Sequence, residues 1–246
     1  MKLSWVPFKP QIGLLKQTLC PKQLVAPILQ GKLRGTKWIV SSSNLECVLG
    51  SYENTMVNVF GKTVQNGWVV YDVGAHVGFY TLLASKLVGE NGNVFAFEPF
   101  PLNILSLNKH VAINRCLNVK VVAVAVSDRN GKQLFDTSFG ASMGRLSIKG
   151  DLMVHTTTID MFAYENKSPT CIKIDVEGHE QQVLNGAEKT LRTCHPTLFL
   201  ATHGIDNYNG CVKYLRKLDY TIQDVSSIKR HDRKELFCYF RNSLHK

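Results

Sequence analysis

Trp68-Val-Val-Tyr-Asp-Val-Gly-Ala-His-Val-Gly-Phe-Tyr80 is the stretch from which the fold of this 246-residue chain can be read. Apolar residues Trp68 to Tyr71 run into Asp72. Gly74 and Gly78 flank a bend, and Phe79, Leu82, Leu83 and Leu87 then recur at helical spacing, which predicts strand, glycine turn and helix. Such a turn at the carboxyl end of a parallel strand is where open α/β sheets bind ligands, because glycine admits close backbone approach and the helix start offers free N–H groups.

The alternation continues downstream. Val94 to Glu98 is an apolar run ending in an acid. Pro101 takes a first helical position, with Ile104, Leu107 and Val111 behind it. The β-branched run Val119 to Val126 predicts a strand, closed by the turn residues Ser127 to Gly131. A strand or loop over Gln133–Ser147, a strand around His155–Thr158 and a helical turn from Ile159 lead to a buried strand over Cys171–Val176. A helix is predicted from His179 to Leu191, with Val183, Leu184, Ala187 and Leu191 in one stripe. Thr197–Thr202 reads as a strand and Tyr208–Leu218 as a helix. Tyr220–Asp224 and Leu236–Phe240 read as a terminal β-hairpin. Strands alternating with helices imply right-handed βαβ units and a mostly parallel sheet with helices on both faces.

Upstream, Pro7, Pro10, Pro21 and Pro27 break the pattern. A short helix over Ile12–Leu19, a hairpin holding Trp38–Val40 and a helix from Gly50 through Val59 are expected. This divides the chain into an irregular extension, 1–66, and a core, 67–246.

A 44% hydrophobic composition predicts a globular protein. No apolar run approaches the roughly 18 residues of a membrane span, and Met1 to Lys16 lacks the layout of a signal peptide. Seven scattered cysteines without a C-x-x-C pair suggest reduced thiols and a cytoplasmic location. The net charge of +10 would suit an anionic partner. Its densest cluster, Lys229–Lys234, contains Asp232 and reads as a hairpin turn.

Asp72, Glu98 and Asp175 end three successive strands and so point into one crevice. Glu98, 24 residues after Gly74, stands near the spacing at which an acid meets ribose hydroxyls; a cap ahead of Pro99 and Pro101 is the structural alternative. His76 occupies the second glycine position of G-x-G-x-x-G, which disfavours a pyrophosphate cofactor. Alternation sets Lys173 and Asp175 on the face opposite Ile172 and Ile174. A lysine inside a central strand needs a partner, and Asp175, Glu177 and Glu180 are available. Glu180 should point toward the sheet at the helix start. Asp175, His179 and His203 are the possible metal set, without diagnostic spacing; no metal ligand is assigned.

Asp72-Val-Gly-Ala-His-Val-Gly-Phe-Tyr-Thr81, Phe97-Glu-Pro99 and above all Ile172-Lys-Ile-Asp-Val-Glu-Gly-His-Glu180 together resemble the FkbM-type methyltransferases over roughly Gly50 to His203. The resemblance implies a Rossmann-like class I fold and S-adenosylmethionine as cofactor. It implies that Asp72, Gly74, Ala75, His76 and Gly78 hold the methionine end, that Glu98 holds the ribose and that Asp128 borders the adenine. The implied reaction is O-methylation of a hydroxyl on a small molecule, sugar or glycan, with Asp175, Glu177 and His203 as catalytic candidates. Two positions depart from the family pattern: His76, where Asn is usual, and Ala201, where Glu is common. Phe139, Met143 and Arg145, within Phe135–Thr156, are candidates for an acceptor pocket together with 1–66. An RNA methyltransferase and a catalytically idle cofactor-fold binding module are the alternatives. The sequence leaves oligomeric state open.

Overall fold

The computed structural model describes residues 24–138, 144–226 and 233–240, in two compact units that part between Tyr52 and Glu53. The expected helix over Ile12–Leu19 lies outside the described residues. So do Phe139, Met143 and most of the Lys229–Lys234 cluster.

In the first unit, β1 (Val25–Pro27) pairs antiparallel with β2 (Lys37–Ile39), which is the expected hairpin, and Trp38 is fully buried. Asn44 caps α1 (Leu45–Leu49) by accepting from the Cys47 N–H. Gly50, in the left-handed region, ends that helix. The helix expected from Gly50 therefore starts later, as α2 (Asn54–Thr63), the first helix of the second unit.

The second unit is built on seven strands: β3 (Val69–Val73), β4 (Asn93–Phe97), β5 (Val119–Val122), β10 (Cys171–Ile174), β11 (Thr197–His203), β12 (Tyr220–Asp224) and β13 (Arg233–Phe240). Their order is β12-β13-β11-β10-β3-β4-β5, parallel from β5 to β11, with β13 antiparallel to both β11 and β12. The central strands are continuous apolar runs because helices cover both sheet faces. On one face Tyr71, Phe95, Phe97, Ile172 and Leu198 meet α5 (Ile159–Glu165), α6 (Glu180–Asn185), α7 (Glu188–Cys194) and α8 (Ile205–Lys217). The rings of Phe95, Phe97 and Phe162 stand within 5.5 Å of Tyr71. On the other face Ala96 packs with Leu107 of α4 (Pro101–Ile113), and Phe60 of α2 packs against Phe199 and against Tyr80 of α3 (Phe79–Val88).

Three predicted elements come out differently. The run Val119–Val126 is shared between two sheets. Val122 pairs with Phe97, whereas β6 (Ala125–Val126) joins a small sheet of order β6-β9-β7-β8, with β7 at Gly131–Asp136, β8 at Arg145–Leu146 and β9 at Leu152–Thr157. The helix expected over 179–191 is two helices, α6 and α7. At the break a Cβ on Gly186 would lie 2.1 Å from the Ser127 carbonyl oxygen. Asp160 starts α7 by accepting from the Lys189 and Thr190 N–H groups at 2.9 and 2.7 Å. The last strand begins at Arg233, so Arg233 and Lys234 are ladder residues and not turn residues.

The chain runs from β3 outward to β4 and β5, then returns to β10 on the other side of β3. The β3–β10 gap is therefore the topological switch point, where α/β sheets bind ligands. Gly74 permits the close contact there: at φ 79° it lies so near β10 that a Cβ would be 1.9 Å from the Asp175 carbonyl oxygen.

Candidate active site

At the carboxyl ends of β3 and β4 two carboxylates are buried among uncharged donors. Asp72 Oδ2 accepts from the Thr81 hydroxyl at 2.6 Å. Glu98 Oε2 accepts from the His76 N–H at 2.8 Å, and its Oε1 from the Phe100 N–H at 2.9 Å and the Asn103 amide at 3.2 Å. Glu98 thus braces the turn just ahead of α4, without bonding a first-turn N–H of that helix, and also closes the glycine loop. The Gly74 and Ala75 N–H groups bind the Phe97 carbonyl at 3.1 and 3.0 Å. Burial drives Asp72 up to about 6 and Glu98 up to about 7, because desolvation outweighs these hydrogen bonds and, at Asp72, the attraction of Lys173. Asp128 lies on the rim beyond β6, beside Ser127, whose hydroxyl also meets His179 Nε2 at 2.9 Å.

At the ends of β10 and β11, ion pairs dominate. Lys173, 2% exposed, finds Asp175 Oδ2 at 3.3 Å and sits 4.7 Å from the centre of the Tyr80 ring; of its three candidate partners, Asp175 is the one it pairs with. Arg233 places one nitrogen 3.4 Å from Asp175 Oδ2 and 2.5 Å from Glu53 Oε1, and Glu53 Oε2 accepts from the Tyr80 hydroxyl. Burial alone would raise Asp175, but Lys173, Arg233 and His203 outweigh it and hold the carboxyl below its ordinary value. His203 turns Nδ1 to Glu180 Oε1 at 3.0 Å and Nε2 toward Glu177 Oε2 at 3.4 Å and Asp175 Oδ1 at 3.8 Å. Glu180 is fully buried, as its position on the apolar stripe implies.

The three catalytic candidates therefore come together: ligand-capable atoms of Asp175, Glu177 and His203 lie within 4.8 Å of one another. His179, weighed as the third member of a metal set, is turned away to Ser127, and Glu177 takes that place. Glu53, Tyr80, Arg233 and Asn207, the last of which donates to Glu180 Oε2, join this cluster without having been among the expected site residues. A count of cations available to the strand-end acids would have pointed to Arg233. Nothing local marks Glu53, which is 180 residues away from Arg233.

Three acid-ended parallel strands, a glycine turn at the switch point and an antiparallel last hairpin make up a Rossmann-like methyltransferase fold, that of the class whose cofactor is S-adenosylmethionine. The chain belongs to the methyltransferase FkbM domain family, which matches residues 72–228. It is 26% identical over 160 residues to hexuronic acid methyltransferase AglP of Haloferax volcanii, covering 63% of this chain and 64% of that protein, so it spans less than two thirds of this relative's length. Methyltransferase FkbM from Methylobacillus flagellatus KT shares the fold at a TM-score of 0.53 and 17% identity, over 80% of this chain and 56% of that one. SMU.1697c from Streptococcus mutans, solved in complex with SAH, shares it at a TM-score of 0.51 and 9% identity, over 74% and 94%.

The residues present suit that cofactor. Buried carboxylates whose pKa values are raised by desolvation are short of donors, and an ammonium and a ribose diol are donors. A pyrophosphate would add negative charge beside Asp72 and Glu98. Asp175 Oδ1 is buried without a hydrogen-bond partner among the described residues, 3.8 Å from His203 Nε2.

Proposed function

We propose that this chain is an S-adenosylmethionine-dependent O-methyltransferase whose acceptor is a hydroxyl of a sugar or glycan, with the core 67–246 carrying the reaction. The observation that carries this reading is His203, with Nδ1 occupied by Glu180 and Nε2 presented between Glu177 and Asp175 at the end of β11. The cofactor supplies an electrophilic methyl group on a sulfonium. Asp72, the Gly74–Gly78 loop, Glu98 and Asp128 would hold it. The chain must then orient the acceptor hydroxyl and take its proton. In this reading His203 Nε2 takes the proton, Glu177 orients the acceptor and Asp175 stabilises the imidazolium. The relative that acts on a hexuronic acid supports a sugar, and a uronic acid is the first acceptor class to try.

A cytoplasmic location is part of this reading. It is supported by the free thiols of the six described cysteines, and no helix among the described residues is long and apolar enough to cross a membrane. RNA is a less favoured acceptor: Arg233 and Lys234 of the basic cluster are paired with Glu53, Asp175 and Asp224.

The test combines the protein with S-adenosylmethionine and a panel of uronic acid glycosides, reading S-adenosylhomocysteine and a product heavier by one methylene. His203→Ala should lower turnover by about 10²- to 10⁴-fold while cofactor affinity is kept, and Asp175→Asn should lower it less. Near-normal turnover in both variants would remove the assignment. Turnover that a chelator abolishes and a divalent cation restores would take the proton transfer away from His203. Cofactor binding without product across the panel would favour the idle binding module.

A further inference from the structure

We infer that Glu180 is a positioning residue that fixes the tautomer and orientation of the His203 imidazole; this rests on the reading of His203 as the base. Glu180, the first residue of α6, is 0% exposed, yet its carboxylate is surrounded by donors. Oε1 accepts from the Val176 N–H at 3.3 Å, the Gly178 N–H at 3.0 Å and His203 Nδ1 at 3.0 Å, and Oε2 accepts from the Asn207 amide. One side chain thus ties together the loop that carries Asp175 and Glu177, the end of β11 and the first turn of α8.

The chemistry follows from what a carboxylate can do. It accepts and does not donate, and Nδ1 is the ring nitrogen with a hydrogen bond to a carboxylate, whereas Nε2 stands 3.4 and 3.8 Å from Glu177 and Asp175 without one; the proton of a neutral His203 therefore sits on Nδ1 and the lone pair on Nε2. Nε2 is the nitrogen that faces Asp175 and Glu177. The loop after β10 holds the non-glycine Glu177 at a costly φ of 55°, and the two backbone bonds from Val176 and Gly178 to Glu180 stabilise it. The charged groups around the imidazole are Asp175 and Glu177 from the loop after β10, Glu180 from α6, and Arg233 of β13, the register partner of His203. Burial pulls the imidazole pKa down, but the Glu180 hydrogen bond and the three carboxylates outweigh it, and the net shift is upward. A base with a raised pKa is a stronger proton acceptor that works only at higher pH, so turnover should rise along an acid limb above the ordinary imidazole range.

A Glu180 that only braced the loop would lower stability and leave that limb where it is. The first measurement uses the unaltered chain: nitrogen-15 NMR of histidine-labelled protein, with His203 assigned by the signal lost in His203→Gln. The Nδ1–H form is expected for the neutral ring, and an Nε2–H form overturns the inference. The second uses Glu180→Gln, which keeps shape and removes charge. Its pH-independent kcat should fall about tenfold or more, with its acid limb about one pH unit lower and KM for S-adenosylmethionine within about twofold. An unmoved limb overturns the inference even if the variant is less stable, and if the variant does not fold, the NMR result decides. The two levels fail separately: intact turnover in His203→Ala removes the base reading, whereas a dead His203→Ala with an unmoved limb in Glu180→Gln removes only the role of Glu180.

Discussion

On the β3–β4 side of the crevice, Asp72 and Glu98 accept from a hydroxyl, two backbone N–H groups and an amide. On the β10–β11 side, Asp175 sits against Lys173, Arg233 and His203. Both sides are buried, and both end their strands in acids. Desolvation carries Asp72 to about 6 against the pull of its Thr81 hydrogen bond and Lys173, and carries Glu98 to about 7, whereas Lys173, Arg233 and His203 together hold Asp175 down. On the proposed reading, the first side would gain donors from the cofactor, and the second would hold the imidazole that takes the acceptor proton. Strand-end acids that look equivalent in sequence differ in whether cations stand beside them.

The change that should break this contrast most severely is Lys173→Met. It leaves Asp175 and Glu53 sharing Arg233 in a site where Lys173 is 2% exposed. Removing one partner of a buried pair costs about 3–5 kcal/mol, which for a unit of this size lowers Tm by about 10 °C. Calorimetry that shows Tm unchanged would mean that Arg233 alone carries the acceptor side.

Asp72→Asn tests the other side through pH. The folded Asp72 pKa, about 6, lies above its unfolded value, so between about pH 4 and pH 6 the folded state holds a proton that the unfolded chain has lost. Stability from this group is present below the unfolded pKa and is lost as pH rises through the folded one. Asn cannot ionise. Relative to the parent, the variant should therefore gain about 3 kcal/mol between pH 4 and pH 7 in urea unfolding. A pH-independent difference would show that Asp72 is not desolvated as its neighbours imply.

Glu98→Gln should act on the ligand more than on the fold. The amide keeps an acceptor oxygen for the His76 N–H but loses the charge that a ribose diol would meet. The S-adenosylmethionine Kd should rise about 10- to 100-fold, with kcat at saturation little changed. Loss of kcat with Kd intact would place Glu98 on the wrong side of the comparison.

How much of this was legible depended on sequence distance. The glycine turn, the three acid-ended strands, the inward Glu180 and the buried lysine all followed from local pattern, because alternation and helical period fix which way a side chain points. The break between α6 and α7 did not. It goes with the Ser127 carbonyl standing where a Cβ on Gly186 would lie and with Asp160 capping α7 from about 30 residues away. Arg233 reaches Asp175 over 58 residues through the β11–β13 register, so its cluster read as an exposed turn. Glu177 lies with Asp175 and His203 as its motif implied, whereas His179, weighed for a metal set with those two, turns to the Ser127 hydroxyl 52 residues away in sequence.

His76 joins the two sides and should give the smallest effect. Its φ of 51° lies in the left-handed region, where His and Asn are among the few non-glycine residues at ease, so the backbone alone accounts for either residue there. Its N–H binds Glu98, while its ring feels Asp175 across the switch point; burial still lowers the imidazole pKa against that attraction. His76→Asn keeps the turn and removes only the ring, so stability should change by no more than about 0.5 kcal/mol. His76→Val, β-branched at positive φ, should cost about 1–2 kcal/mol. If the ring contributes to the crevice, Asn should raise the S-adenosylmethionine Kd about two- to fivefold, read by calorimetric titration. If affinity and rate both stay put while Val still destabilises, His76 serves the backbone alone, and the two sides communicate only through the close contact of Gly74 with Asp175.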